Sequence, residues 1–542
     1  MRLFSKSDTS TMLASGLQSR AVSLLRLLWL VLLVLPAASS NSTTEGWDLD
    51  SNLLFGVSCW LVVAARLVLP ARWFFPASLP IALAGVSCMG ADFLRHVDLL
   101  ELAIQWRTFR LEEVRSSLLP YAGVVVMTSL VLGAWCWACA LGPDPRRCVR
   151  AVPVGVALVT LLLASVVPQI VWVRAWPTNL MFVVGTAAWP SNALVSALRP
   201  AANIDPRDPK ATWHGRSTRS TPRQTFVFIV GESVRADFLR ECHGPGRVRA
   251  VSDGAVVACD VTSGADATHS SVPLLVSRDM PGRPYRVSPD ATFERAFEEA
   301  GFETHWISVQ GRSVAWPDAQ FQQYPMYFHS DESALGPQLA KALERPAQRK
   351  AIVLHAYNAH APYCTSFDAA SAPYPTDCKR LEGAPRAADR EVMRLAYADA
   401  IDSSVRFIDS VIDTLRDQPG EVFLLFTPDH GDNLYDDPRQ LYGHALRNPT
   451  RWDVRVPAIF WANGVWRAAH PQQWANLKAQ ADAPLMHADM VPTFLAAAGV
   501  VYDEPRKQAI DLLDATVPPR KRTIQRAPGV TTDWDTLVRE AL

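Results

Sequence analysis

The sequence has no surplus of charge. Over 542 residues, 53 Lys and Arg stand against 53 Asp and Glu. That excludes the basic excess with which a nucleic-acid binder neutralises phosphates, so no nucleic-acid partner is expected. No internal repeat is found, which excludes a repeat array. The even balance hides an asymmetry: nearly all the long apolar runs lie before residue 200, and the charged residues and most histidines lie after it. No apolar run carries a central acidic residue of the kind that marks an ion path, which speaks against a transporter. The length exceeds one ordinary domain, so two or more regions are expected.

Five runs have spanning length: 24–40, 52–69, 73–91, 118–142 and 151–173. Each is close to the roughly 20 residues that cross hydrocarbon. Arg66 sits near the end of the second run, where it snorkels. Arg2, Lys6 and Arg20 precede the first run, Arg66 and Arg72 flank the second loop, and Arg146, Arg147 and Arg150 fill the fourth. Basic residues in short loops mark the cytoplasmic side, so five spans deliver everything after Arg174 to the outside. Trp73, Trp172 and Trp176 fall where interfacial aromatics belong. The first run ends in LPAASS, which reads as a retained helix or as a signal-peptide cleavage region; cleavage leaves four spans and the same orientation. The loop 92–117 is amphipathic and is expected along the outer membrane surface, either sealing the bundle or forming a lip for a lipid headgroup. Residues 199–224 are rich in Pro, Arg and Ser without periodicity, which is a tether. The expected organisation is a transmembrane domain at 1–174, a linker at 175–224 and an outer catalytic domain at 225–542.

From Thr225 the pattern changes. TFVFIVGE, FETHWISV, AIVLHAY, EVFLLFTPDH and VPAIFWAN read as buried strands of a mostly parallel sheet. ATFERAFEEA reads as a helix, and so does 387–416, where Val392, Leu395, Ile401, Val405, Ile408, Ile412 and Leu415 recur at helical spacing. Such alternation implies helices packed on a sheet. In open α/β sheets, sites form beyond the carboxyl ends of the strands. Glu232 follows FVFIVG, Asp429 and His430 follow FLLFTP, and His360 follows IVLHAYNA. A lone Glu after a strand often does no more than cap a helix. Three strands ending alike point to a shared metal site. A Glu, an Asp and a His suit zinc or manganese, with imidazole favouring zinc.

One polar stretch remains: VTSGADATHSSVP, Val261 to Pro273, with hydroxyls at Thr262, Ser263, Thr268, Ser270 and Ser271 and no Cys. The residues alone leave open whether it is a loop or holds a nucleophile. Taken in order, IVGES, DATHSSVP, NAHAPY, AYADAIDSS and TPDHGD, behind five spans, resemble the bacterial phosphoethanolamine transferases. These include lipid A-modifying enzymes and belong to the alkaline phosphatase superfamily. The resemblance implies an α/β/α sandwich of that type in the periplasm, anchored in the inner membrane; a monomer is expected. It implies that Thr268 forms the covalent intermediate, that Glu232, Thr268, Asp429 and His430 hold the metal, and that His360 and His444 (in LYGHAL) act on the substrate side. There His360 protonates the departing oxygen or holds a phosphate oxygen. The chemistry agrees. Bound zinc lowers the pKa of water from about 15.7 to about 7, and an alcohol responds similarly.

The implied reaction transfers phosphoethanolamine from phosphatidylethanolamine to a hydroxyl or phosphate on a glycolipid or glycan, with lipid A or core sugars favoured. Phosphoglycerol transfer and phosphoester hydrolysis are the alternatives within the superfamily, and a catalytically silent envelope sensor is the alternative outside enzymes. No Cys or Ser opens a C/S-x-P-x-R stretch here, which disfavours sulfate-ester hydrolysis. Many relatives carry a disulfide around the nucleophile loop; this chain has Gly264 and Leu274 at those places. The family's headgroup residues do not register cleanly in 92–117, where Gln105 and Glu113 are neighbours of the expected pattern. Four cysteines lie in the outer half, and an even count in an oxidising compartment suggests two disulfides. Cys364 with Cys378 matches a bridge in the family, which leaves Cys242 with Cys259.

Overall fold

The computed structural model describes residues 122–141, 212–244, 254–282, 291–310, 332–357, 359–381, 386–445, 449–503, 508–514, 516–527 and 530–540. The chain divides into two compact units, Met1–Leu99 with Ser117–Pro200, and Leu100–Ser116 with Ala201–Leu542. In the first, helix α1 (Ala122–Leu141) falls inside the fourth expected span. Its side chains are described only in part, between Val126 and Trp137, and Val126, Leu130 and Trp137 are exposed there. Among the described residues no helix is long and apolar enough to cross a membrane. The other four expected spans and the interfacial loop lie outside the described residues.

The second unit is built on seven strands: β1 (Gln224–Gly231), β2 (Val256–Thr262), β3 (Glu303–Ser308), β4 (Arg349–His355), β5 (Glu421–Pro428), β6 (Arg455–Ala462) and β7 (Leu485–Met486). Their order across the sheet is β7-β2-β6-β5-β1-β4-β3. β6 alone runs antiparallel to its neighbours. Residues of β1 alternate between two cores. Phe226, Phe228 and Val230 join Val272 and Leu275 of α2 (Thr268–Val276) on one face. Val227 and Ile229 join Ile401, Val405, Ile408 and Ile412 of α3 (Arg390–Arg416) on the other. A strand covered on both faces has no polar side to present, which is why these segments read as unbroken apolar runs. Helix α4 (Met490–Ala497) packs on the α2 face. A hairpin of β8 (Thr523–Ala527) and β9 (Val530–Asp533), followed by α5 (Trp534–Glu540), ends the described chain.

The register of the central strands aligns the site. Val230 pairs with His355 of β4, and Gly231 pairs with Pro428 of β5. The next residues, Glu232 and Asp429, therefore leave the sheet side by side. Both inferred disulfides, Cys242–Cys259 and Cys364–Cys378, are formed.

Candidate active site

Glu232, Asp429 and His430 are fully buried. One ligand atom from each lies within 4.8 Å of the others. His430 Nε2 stands 3.4 Å from Glu232 Oε1 and 3.3 Å from Asp429 Oδ2. Thr268, the first residue of α2, reaches the same point: its hydroxyl donates to Glu232 Oε2 at 3.1 Å and lies 3.2 Å from His430 Nε2. The positive end of the helix faces this oxygen and favours negative charge on it. Gly431 has no alternative residue, because a Cβ there would meet Trp452 O at 2.2 Å.

The hydrogen bonds around these groups leave ligand atoms of the three side chains free to meet a cation. His430 Nδ1 lies 2.7 Å from Gly431 O, a group that only accepts. The proton therefore sits on Nδ1, and a bare Nε2 lone pair points at two carboxylates. Asp429 Oδ1 accepts from the backbone of Ser233 and His430, while Oδ2 is buried and makes no hydrogen bond. Burial pushes the Asp429 carboxyl well above the usual range, and the neighbouring Glu232 charge adds to the rise. Burial also works against the Glu232 charge, yet His430, His360 and His444 together hold that carboxyl below its ordinary value. Burial and His444 lower His430 to about 4, so it stays neutral, the form that binds a metal. These residues fit a divalent ion.

His360 and His444 form the outer edge. A ligand atom from each and one from Glu232 again lie within 4.8 Å of one another. Nδ1 of His360 is 2.6 Å from Ala361 O, and Tyr357 stacks on the ring. Burial lowers the pKa of His360. His444 is the opposite case: burial works against its charge, but Asp432, 3.2 Å from Nδ1, raises it to about 10. The two members of the outer pair thus differ in protonation.

Gln105 and Glu113 lie outside the described residues. Several residues here were not singled out in the sequence. Gln310 donates to Glu232 Oε2 at 2.8 Å and to Ala356 O at 2.7 Å, fixing the carboxylate. The strand-end rule reaches it, since it stands two residues past β3. Asp432 also accepts from Tyr363 at 2.6 Å and was visible as the last letter of TPDHGD. Arg235, fully buried, had no signal. Its guanidinium grips both oxygens of Asp237, the backbone oxygen of Asp432 and Asp436 Oδ2.

A family model described as Sulfatase matches residues 224–500, just over half of the chain. The chain belongs to the sulfatase family. Among curated relatives, phosphoethanolamine transferase EptC of Escherichia coli is 23% identical over 322 residues, 52% of this chain and 52% of that one. The chain spans about half the length of the curated relatives it matches. Two solved structures share the fold of this sulfatase-family chain. The integral membrane protein lipooligosaccharide phosphoethanolamine transferase A of Neisseria meningitidis has a TM-score of 0.65 at 16% identity, covering 91% of this chain and 99% of that chain. The zinc complex of the C-terminal periplasmic domain of Escherichia coli EptC has a TM-score of 0.53 at 19% identity, covering 60% and 97%.

Proposed function

We propose that the protein transfers phosphoethanolamine from phosphatidylethanolamine to a glycolipid or glycan through a covalent adduct on Thr268. The observation that carries this reading is the convergence of the Thr268 hydroxyl, two buried acids and an unprotonated imidazole nitrogen on one point. The names of EptC and of its Neisseria counterpart support the headgroup, and the zinc complex supports the metal. Zinc held by Glu232, Asp429 and His430, with manganese as the other candidate, supplies Lewis-acid chemistry that lowers a hydroxyl's pKa and draws charge from a phosphoryl oxygen.

The residues divide the remaining work. Thr268 Oγ1, its proton already directed at Glu232, attacks phosphorus, and the bond to the diacylglycerol oxygen breaks. Protonated His444, held by Asp432, gives that oxygen its proton. In the second transfer neutral His360 takes the proton of the acceptor hydroxyl and passes it on to His444, and the bond from phosphorus to Thr268 Oγ1 breaks as that oxygen takes its own proton back from Glu232. In this reading residues 225–542 are the catalytic domain in the periplasm, 175–224 the linker, and 1–174 the anchor in a bacterial inner membrane, with Gln105 and Glu113 near the donor headgroup. Incubating the protein with phosphatidylethanolamine and measuring intact mass tests it. A phosphoethanolamine adduct is expected on the wild type and not on Thr268→Ala; an adduct on both, or on neither, defeats the reading.

A further inference from the structure

The segment between β2 and α2, residues 263–267, has no regular structure of its own, yet it sets where Thr268 stands. Its backbone is tied to the backbone of other segments at three points, and Gly264 N also donates to His487 Nδ1 at 3.4 Å. Ser263 N donates to Val454 O at 2.9 Å, Ala445 N donates to Asp266 O at 2.8 Å, and Gln525 N donates to Gly264 O at 2.8 Å. The third tie comes from β8, which runs alongside the segment in a parallel bridge between Ala265 and Gln525. β8 also reaches the first tie. Ile524 is fully buried against Val454 and Leu537, and Val454 is the residue whose carbonyl holds Ser263. Gln525 is itself fixed, because its Oε1 accepts from Gly282 N at 3.1 Å. Arg522 anchors the hairpin by donating to Asp260 Oδ1 of β2 at 2.6 Å, and its guanidinium lies 4.6 Å from the Trp534 ring. All of β8, β9 and α5 lies beyond residue 500, where the sulfatase-family match ends.

We infer that this C-terminal hairpin is a non-covalent brace that positions the nucleophile segment, with Gln525 and Ile524 as its positioning residues. The inference rests on Thr268 being the nucleophile. It explains how the segment stays in place without a covalent staple across it. Gly264 and Leu274 face each other there, and a Cβ built on Gly264 would stand 3.1 Å from Leu274 Cβ. A disulfide at these positions needs Cβ atoms about 3.5–4.5 Å apart, a shift of a few tenths of an ångström. The structure therefore offers a direct substitution of one restraint for the other.

The test uses the full-length protein in detergent. Gln525→Pro removes the N–H that holds Gly264. Amide hydrogen exchange of the peptide covering 262–268 is expected to speed up on the order of fivefold, the size of one net hydrogen bond. Adduct formation with phosphatidylethanolamine slows, while metal content by elemental analysis stays at the wild-type level. Adding Gly264→Cys with Leu274→Cys under oxidising conditions restores both rates, and Leu274→Cys alone restores neither. Unchanged exchange in Gln525→Pro overturns the brace, as does equal slowing in the stapled background. If Gln525→Pro does not fold, Ile524→Ala is read in the same way. If the wild type forms no adduct, the transfer reading fails and the exchange data alone decide the brace.

Discussion

Glu232 sits in a fixed posture because donors hold both its oxygens, among them Gln310 and Thr268 on Oε2, and Ser233 Oγ on Oε1 at 2.8 Å. Gln310, unlike Thr268, takes no other part in the chemistry. Gln310→Ala frees the carboxylate to turn, and outer hydrogen-bond partners of this kind are worth roughly 10- to 100-fold in metal affinity or activity. Zinc titration against a competing chelator checks this, and wild-type affinity together with a wild-type rate rejects it. A second residue acts through pH. Burial raises the Asp511 carboxyl from its ordinary 3.8 to about 6. The fold therefore binds that proton more tightly than the unfolded chain does, and stability is lost as pH rises between these values. Asp511→Asn is expected to raise stability at pH 7.5 by on the order of 1–2 kcal/mol, discounted for partial exposure, with no gain at pH 4. A gain independent of pH would falsify this assignment. Glu232, Asp429, His430 and His360 were legible as a cluster because each follows an apolar strand. Gln310 also follows an apolar strand, but its amide does not mark it as a site residue, and Arg235 carries no such signal. The importance of an amide or a buried cation lies in partners that are distant in sequence.

At the level of elements, Arg235 ties the loop after β1 to the loop after β5, and Asp436 passes the tie to α3 through Arg394 at 2.7 Å. The two loops that carry the buried acids and the helix α3 thus share one buried charge network. Lys in place of Arg235 keeps the charge but cannot grip Asp237, Asp432 and Asp436 together, since an ammonium lacks the planar fork. Arg235→Lys is expected to cost on the order of 3 kcal/mol and to weaken metal binding as well. Denaturant unfolding and metal titration measure the two effects, and loss of stability with intact metal affinity would separate the network from the site. Elements are also where sequence and structure part company. The sheet is mostly parallel, as expected, and VPAIFWAN (β6) is its antiparallel member; an unbroken apolar run reports burial on both faces and carries no information on direction. The expected helix at 387–416 forms from Arg390, after a turn at Ala387–Asp389. β2 gives no clear strand signal, because its pattern VVACDVT breaks apolar continuity at Asp260, the residue that Arg522 engages.

For the molecule as a whole, stability and function meet at the metal. The two disulfides close loops of 17 and 14 residues, each worth about 3 kcal/mol in a chain-entropy account, and they suit an oxidising compartment. Without a cation the same fold carries a liability at its centre. Two buried carboxyls stand beside a bare imidazole nitrogen, and Asp429 Oδ2 has no donor. An amide in place of Asp429 cannot ionise beside Glu232, where burial already disfavours the carboxylate, and it offers an N–H to His430 Nε2, 3.3 Å from the present oxygen. In the metal-free protein, therefore, Asp429→Asn is expected to raise the melting temperature. With metal present the sign reverses. A ligand that binds only the folded state adds about 2.7 kcal/mol at a hundred times its Kd, and the variant forfeits most of that gain by losing a ligand. Thermal unfolding of both proteins, with chelator and with excess zinc, gives four melting temperatures. A crossing between the two conditions is the expected result. If the variant is lower in both, the three buried groups form an ordinary polar cluster rather than a cation site, and the proposed chemistry at Thr268 loses its basis.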